Sequence, residues 1–395
     1  MKNQHNFAVF LMAIACALPI LFTVLYLSVL PANPRNVANR DFIVYWATGR
    51  QLARHGNPYD PAALNKIEHD AGFPGRASFY MRNAPWALPL ALPLGYLKPV
   101  VAALPWSLLI LGLLVASVRI VWKLLGSPGN HLEWLGYCFP PALFCVILGQ
   151  TSIFLLFGLA LFLRFHKNRP FAAGAALWLC TLKPHLFLPF ALVLLAWIVV
   201  TRSYRILAGG IAAMIAGNLV TAWIDPAAWR QYAHYMHTSG IAREFTANLG
   251  DLLRDSIHPA WEWLAFVPAI LGCAWALVWF WPRRHGWDWI EHGSLLMLVS
   301  LVVAPFGWIF DQSLAIPAVL FAVSRAPSRS ALSTLALLYI AIEIQLVSHF
   351  PLASAAYLWP APACLAWYLF ARASSHREIV LPIPASSSPL GNSSH

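Results

Sequence analysis

Long apolar runs separated by short polar links occupy most of this chain. They recur at roughly 7–30, 100–122, 134–148, 152–165, 171–183, 185–201, 206–224, 260–281, 293–304, 313–324, 331–347 and 353–371. A helix perpendicular to a bilayer needs about 20 apolar residues, so the longer runs predict full spans. The shorter ones predict segments packed inside a bundle or lining a cavity. The run from Ala84 to Leu97 carries Pro85, Pro89 and Pro93 and predicts a re-entrant or interfacial segment. The first run, Phe7 to Leu30, is too long for a signal-peptide core and has no small-residue cleavage site, which predicts a retained first span. The pattern therefore predicts an all-α polytopic membrane protein of about 12 transmembrane helices, with interfacial helices in the first external loop.

The short links sort by charge. Arg164, Lys167 and Arg169; Arg202 and Arg205; Arg283 and Arg284; Arg325 and Arg329; and Arg372 and Arg377 all fit on one side of such a bundle. The positive-inside rule makes that side cytoplasmic. Two long loops, 31–83 and 225–259, then lie outside. With them lie the links at Gly149–Gln150, Lys183–Pro184–His185, Gly307–Gln312 and His349–Phe350. The expected organisation is one membrane domain over 1–377 and a Ser/Pro-rich, disordered cytoplasmic tail over 378–395.

Composition sharpens this picture. Of 395 residues, 59% are hydrophobic and 10% charged, against roughly 45–50% and 25% in soluble domains. Lipid must therefore solvate much of the chain. The net charge of +11 is scattered between apolar runs with no basic tract, which fits loops and lipid headgroups and excludes a nucleic-acid partner. The six cysteines all lie in apolar stretches without a Cys-x-x-Cys pair, as small buried hydrophobes do. No phosphate-binding Gly-rich loop, dinucleotide fingerprint, His-Glu-x-x-His or Asp-x-Asp pair occurs, so neither a metal nor a cofactor is expected.

Candidate chemistry gathers in the external links. In Arg40 to Arg54, the residues Phe42, Tyr45, Trp46, Gly49, Leu52 and Ala53 share one helical face, which predicts an amphipathic helix in the membrane interface. Asp41 opens it, either as an N-cap or as a general base at the water–lipid boundary. Tyr59 and Asp60 follow in a Gly-Asn-Pro turn as possible polar-ligand contacts, and Arg82 as a headgroup or ligand anchor. Lys183-Pro184-His185 joins two short apolar helices. A charge at mid-bilayer costs about 2.5–3.5 kcal/mol, so Lys183 either snorkels or serves as an ammonium that, with His185, holds a phosphate. Gln150 sits in another polar break. Asp311 is a lone carboxylate between apolar runs, beside Trp308, and needs a partner, water or substrate. Trp229, Tyr232, His234, Tyr235 and His237 suit a sugar platform or a helix lying on the membrane.

Taken in order, several of these pieces resemble glycosyltransferase family 87. They are Asp41 with Tyr45, Ala47 and Leu52; Gly56-Asn57-Pro58-Tyr59-Asp60; Pro85 to Pro93; Gly149-Gln150; Ala173-Gly174 to Lys183-Pro184; and Pro305 to Asp311. The likeness runs from about residue 40 to 320. It departs from the family's pattern where Ala304 replaces a Ser and Phe310 precedes Asp311. The resemblance implies a C-type membrane glycosyltransferase fold and a polyprenyl-phosphate sugar donor arriving from the outer leaflet. It also implies a glycolipid or glycan acceptor and an inverting transfer of a hexose, mannose among the candidates. Asp41 would be its general base, and Lys183, Arg82 or His185 would hold the leaving phosphate. The expected location is the inner or plasma membrane, with the active site on the non-cytoplasmic face. Rival readings are a lipid or polysaccharide transporter or flippase, which would call for an inverted repeat, and an O-antigen-type ligase or polymerase, which would call for a large late external loop.

Overall fold

The computed structural model of the chain describes residues 2–29, 33–38, 40–75, 79–240, 244–325, 327–348 and 351–380. Among these no β-strand occurs. The principal helices, in chain order, are α1 (Lys2–Ser28), α2 (Phe42–Ala53), α3 (Pro61–Asp70), α4 (Leu88–Gly95), α5 (Pro99–Leu124), α6 (Pro140–Leu148), α7 (Ser152–Phe165) and α8 (Pro170–Ala176). They continue as α9 (Leu188–Thr201), α10 (Tyr204–Ile224), α11 (Ala228–Thr238), α12 (Leu249–Ile257), α13 (Val267–Phe280), α14 (His292–Val303), α15 (Ile316–Ser324), α16 (Arg329–Val347) and α17 (Pro360–Val380). Many start on a proline in their first turn, where the missing N–H has no helical partner to lose.

Among the described residues, six helical stretches are long and apolar enough to cross a membrane: Phe10–Ser28, Pro99–Leu124, Pro184–Thr201, Tyr204–Ile224, Glu262–Gly286 and Arg329–Val347. Five further apolar stretches are shorter: Trp134–Leu148, Ser152–Phe165, Pro170–Leu182, His292–Val303 and Ile309–Ser324. Most of these half-length pieces end at a polar link that sequence analysis had singled out. The chain is thus a helical membrane protein in which several apolar helices stop short. The Pro-rich segment does not cross: α4 has eight residues, about 12 Å of helix against a hydrocarbon core near 30 Å. The last helix extends to Val380, three residues into the stretch expected to be disordered. The remainder of that tail, 381–395, and the link at His349–Phe350 lie outside the described residues.

Helix direction organises the molecule. α7 begins at Ser152 and ends before Lys167. α9 follows Lys183 and ends before Arg202. α14 leads into Ala304–Asp311, and α15 leaves that link and ends before Arg325. Each therefore has one end at the polar links carrying Gln150, Lys183 or Asp311 and the other at a basic link. The basic links meet one another: Lys167 pairs with Asp288 at 3.0 Å, Arg372 with Glu291 at 3.4 Å, and Arg325 and Arg372 both lie over the Phe321 ring.

At the opposite end the two long loops pack together. Tyr59 meets Tyr232 and Tyr235 on α11 at ring-centroid distances of 5.2 and 6.2 Å. Arg82 pairs with Glu244 at 2.5 Å.

The helix at 42–53 forms as expected. Phe42 to Gly49 and Leu52 are all buried, so protein packs around more than the expected apolar face, while Arg50 and Gln51 are partly exposed and Arg54 exposed. Part of that packing comes from α4. A Cβ on Gly49 would fall 2.1 Å from the Ala91 carbonyl oxygen, and one on Gly95 would fall 2.1 Å from the Gly49 carbonyl. Trp46 and Arg50 close the contact by donating to the Leu97 and Gly95 carbonyls at 2.9 and 3.0 Å. Periodicity reports that a helix has an apolar face; it does not report what meets the other one.

Two outcomes follow for stability. Gly49→Ala forces α2 and α4 apart and should destabilise the protein by roughly 1–3 kcal/mol, read as a lower midpoint of thermal unfolding in lipid nanodiscs. Glu68 on α3 is fully buried and accepts from the Phe79 N–H at 3.1 Å. Burial pushes its carboxyl up to about 8. Since the fold favours the protonated form, the stability Glu68 contributes is present below its ordinary value near 4 and is lost as pH rises through about 8. Glu68→Gln should therefore match wild type at pH 4 and unfold at a higher temperature than wild type at pH 9. Parallel melting curves at all pH values would disprove this.

Candidate functional site

The site is assembled by two adjacent pairs, Arg40-Asp41 and Gly149-Gln150. Helix α6 ends at Gly149, which adopts the left-handed conformation (φ 76°) that releases the chain from a helix. A Cβ there would sit 2.7 Å from the Cβ of Phe42, so only glycine allows α2 this close. The fully buried Arg40 reaches the same helix end. Its Nε donates to the Ile147 carbonyl and its Nη2 to the Val146 carbonyl at 2.9 Å and to Ser107 Oγ at 3.2 Å. These carbonyls belong to the last turn of α6, where a cation meets the negative end of the helix dipole. Burial brings the Arg40 guanidinium down to about 10, so it keeps its charge at neutral pH.

With Arg40 anchored, Asp41 faces Gln150. The Gln150 Nε2 donates to Asp41 Oδ2 at 2.6 Å, and Gln150 Oε1 accepts from Tyr45 Oη at 3.0 Å. Tyr45 and Gln150 thereby fix which end of the amide faces the carboxylate. Asp41 holds the N-cap position of α2, yet its side chain makes no capping hydrogen bond. Among the described residues Oδ1 accepts no hydrogen bond, and the side chain keeps partial access to solvent. Burial raises the Asp41 carboxyl above its ordinary value, opposed by the Gln150 hydrogen bond and by the charges of Lys183, Arg82 and Arg40.

Two residues beyond Gln150, Ser152 starts α7 and enters a second cluster. Lys183 Nζ donates to Asp311 Oδ1 at 2.6 Å and to Ser152 Oγ at 3.1 Å, and Ser152 Oγ donates to Asp311 Oδ1 at 2.5 Å. The Trp308 N–H holds Asp311 Oδ2 at 2.9 Å. Lys183 also lies 4.6 Å from the centre of the Phe310 ring, a cation–π distance. Asp311 is 2% exposed and Lys183 13%, so the ammonium is the partner that still reaches the cleft. His185 stands edge-on to Phe306 at 5.9 Å. Beside Tyr45 lies a small, mainly apolar cavity of about 10 Å³, lined by Met81, Asn83, Trp106, Thr151 and Leu182 among others.

The structure thus brings Asp41, Gln150, Lys183, His185, Trp308 and Asp311 into one connected region, with Arg82 at its rim and within electrostatic reach of Asp41. Tyr59 is different. It is buried, its hydroxyl donates to the Asn83 carbonyl within the first loop at 3.0 Å, and its ring packs on Tyr232 and Tyr235 of the second, so it fastens the loops instead of facing the cleft. Of the expected aromatic platform, Tyr235 is buried beside Tyr59 while His234 and His237 point outward. The sequence alone gives Arg40 and Ser152 no role and Tyr45 only a place on the apolar face of its helix and in the family pattern. The signal for Ser152 was present in the polar run Gly149-Gln150-Thr151-Ser152. Nothing in the sequence alone marks Arg40 as the cap of a helix more than a hundred residues away.

The family model of glycosyltransferase family 87 matches residues 82–305, more than half of the chain. The match includes Arg82, Gln150, Lys183 and His185, while Asp41, Tyr59, Trp308 and Asp311 lie outside it. No curated protein and no solved structure matches the chain.

The Lys183–Asp311 pair has a clear expected signature. Lys183→Met strands a buried carboxylate and should destabilise the protein by roughly 3–5 kcal/mol. The double variant Lys183→Met/Asp311→Asn removes both charges and should recover most of that loss, as measured by thermal unfolding in nanodiscs. Equal losses in the single and double variants would show that the pair is not what Lys183 stabilises.

Proposed function

This chain belongs to glycosyltransferase family 87 and is a membrane glycosyltransferase that moves a hexosyl group, and from that premise we propose a specific reaction for it. A hexose, mannose among the candidates, passes from a polyprenyl phosphate to a glycolipid or glycan of the cell envelope, with inversion at the sugar carbon. The overall architecture in this reading is the C-type membrane glycosyltransferase fold.

One observation carries the proposal: Asp41 is held by Gln150 through one oxygen only, and its other oxygen is left for a substrate. That oxygen takes the proton of the acceptor hydroxyl as the hydroxyl oxygen bonds to the sugar carbon. The bond from that carbon to the phosphate oxygen breaks, and the electron pair leaves with the polyprenyl phosphate. An ammonium has three N–H donors. Lys183 uses two on Asp311 and Ser152, and the third suits a phosphate oxygen. Asp311 and Ser152 hold the ammonium in place in advance, which is how electrostatic stabilisation of a leaving group is most effective. His185 and Arg82 are placed to add to that field. The basic links gather at the end of the bundle away from Asp41, which supports a site on the non-cytoplasmic face of the inner or plasma membrane.

The test is transfer by purified protein in lipid, from a radiolabelled polyprenyl phosphate sugar to a membrane glycolipid extract. Asp41→Asn should lower turnover by about 10²–10⁴-fold while melting like wild type. Because burial raises the Asp41 carboxyl and the anion is the active form, activity should fall as pH drops through a value above the ordinary carboxylate pKa. That acidic limb should vanish in Asp41→Asn. Normal transfer by the variant would make Asp41 a structural residue and remove the proposed base.

A further inference from the structure

Helix α12, in the second long loop, is inverted with respect to water. Its polar arc, Gly250, Asp251 and Arg254, is buried. Asp251 pairs with Arg254 at 3.0 Å, and its Oδ2 accepts from the Thr246 N–H and hydroxyl at 2.7 Å each and from Asn248 Nδ2 at 2.9 Å. Asp255, at the margin, is tied to Arg254 Nε at 2.9 Å. The opposite arc is apolar and faces away from the protein: Leu252 and Ile257 are exposed, and Leu249 and Leu253 are half-buried. A surface helix bathed in water shows the reverse pattern, with apolar residues toward the core and charges outward.

The exposed apolar surface continues past the helix. Trp261 and Trp263 follow, stacked with 6.1 Å between ring centroids and 25° between planes. Exposure runs from 40% at Leu252 to 60% at Trp263. Trp263 lies in the first turn of the span Glu262–Gly286. Phe266 and Ile270, three and seven residues further on, share its face and are exposed as well. Single exposed apolar residues are ordinary on any protein, but a continuous strip marks a contact surface. The strip is also held as one piece. A Cβ on Gly250 would fall 2.1 Å from the Ala265 carbonyl oxygen, so α12 and the start of the span press backbone to backbone.

We propose that α12 and the Trp261–Trp263 pair dock into the membrane surface, with Leu252 and Ile257 turned toward the lipid acyl chains. Continuity with the exposed face of the span identifies the partner as lipid. Tryptophans collect where a span leaves the hydrocarbon, because an indole is apolar with one polar N–H. A helix with a single apolar face lies in the plane of that same boundary. The Asp251–Arg254 network is the counterpart of this docking. Charges on the protein side of such a helix are cut off from water, so they must be paired and hydrogen-bonded internally. Ala247 and Asn248, just before α12, line one small cavity with Trp308 and Gln312. The membrane surface thereby holds in place a loop that reaches the neighbourhood of Asp311. The docking does not depend on the reaction proposed above.

Nitroxide labels on Leu252→Cys and on Ile257→Cys, with the full chain in phosphatidylcholine nanodiscs, test the docking directly. Their collisions with oxygen, which concentrates in lipid, are compared with those of a nickel chelate, which stays in water. The signal of wild type treated in the same way is subtracted. Both positions are exposed on the protein, so neither label disturbs its packing. Both labels should collide more with oxygen than with the chelate. A label on Lys66→Cys, exposed on α3, should show the reverse order. Chelate collisions that dominate at 252 and 257 as they do at 66 would place this face in water and overturn the proposal. Labels shielded from both reagents would mean that another protein surface, such as a second copy of the chain, covers the strip, and would overturn it equally.

Discussion

The rest of the site depends on the docking of Arg40 into the end of α6. A helix C-terminus buried in protein leaves carbonyls that must find donors, and here one guanidinium serves two of them. The same contact fixes the register of the residue that follows. Asp41 meets Gln150 because Arg40 meets the carbonyls just before Gly149, and Phe42 can follow because Gly149 has no side chain. A position in the first long loop is thereby set to within a hydrogen bond by a helix inside the bundle. The buried charge is tolerated because its Nε and Nη2 donors are used and because the helix end offers it negative potential, although Nη1 is buried without a partner among the described residues.

A second theme is the placement of broken helices. An unbroken apolar span has every backbone group satisfied and offers nothing polar to a substrate. Stopping α6, starting α7 and interrupting the chain again at 183 and at 304–311 brings backbone and polar side chains to one level in the molecule. Ser152 shows the benefit: as the first residue of α7 it reaches both Lys183 and Asp311, which a mid-helix serine in a continuous span would not do. The opposite ends of these helices carry the arginines and lysines. Polarity along each helix and position of the site are thus one arrangement seen from two ends.

Much of this could be read from the sequence. Apolar runs fixed the helices, and the polar interruptions at 149–152, 183–185 and 307–312 pointed to residues that do converge. Burial context was beyond reach. The helix at 42–53 has the spacing of an interfacial helix, and only the packing of Gly49 against Gly95 shows how much of it protein covers. Tyr59 looked like a ligand contact because aromatic residues in loops often are, but its hydroxyl is taken by the Asn83 carbonyl. Pairings such as Arg40 with α6 are long-range, and no local pattern encodes them.

The ion pair of Lys183 and Asp311 joins residues 128 positions apart, and this has a consequence for how the chain is made. Ribosomes add roughly 5–20 residues per second, so Lys183 emerges on the order of ten seconds before the carboxylate that neutralises it exists. During that interval a bare ammonium sits between the short apolar stretch Pro170–Leu182 and the span that follows it. Asp41 waits in the same way for Gln150. These two contacts can therefore both be complete only once about four-fifths of the chain, up to Asp311, has been made.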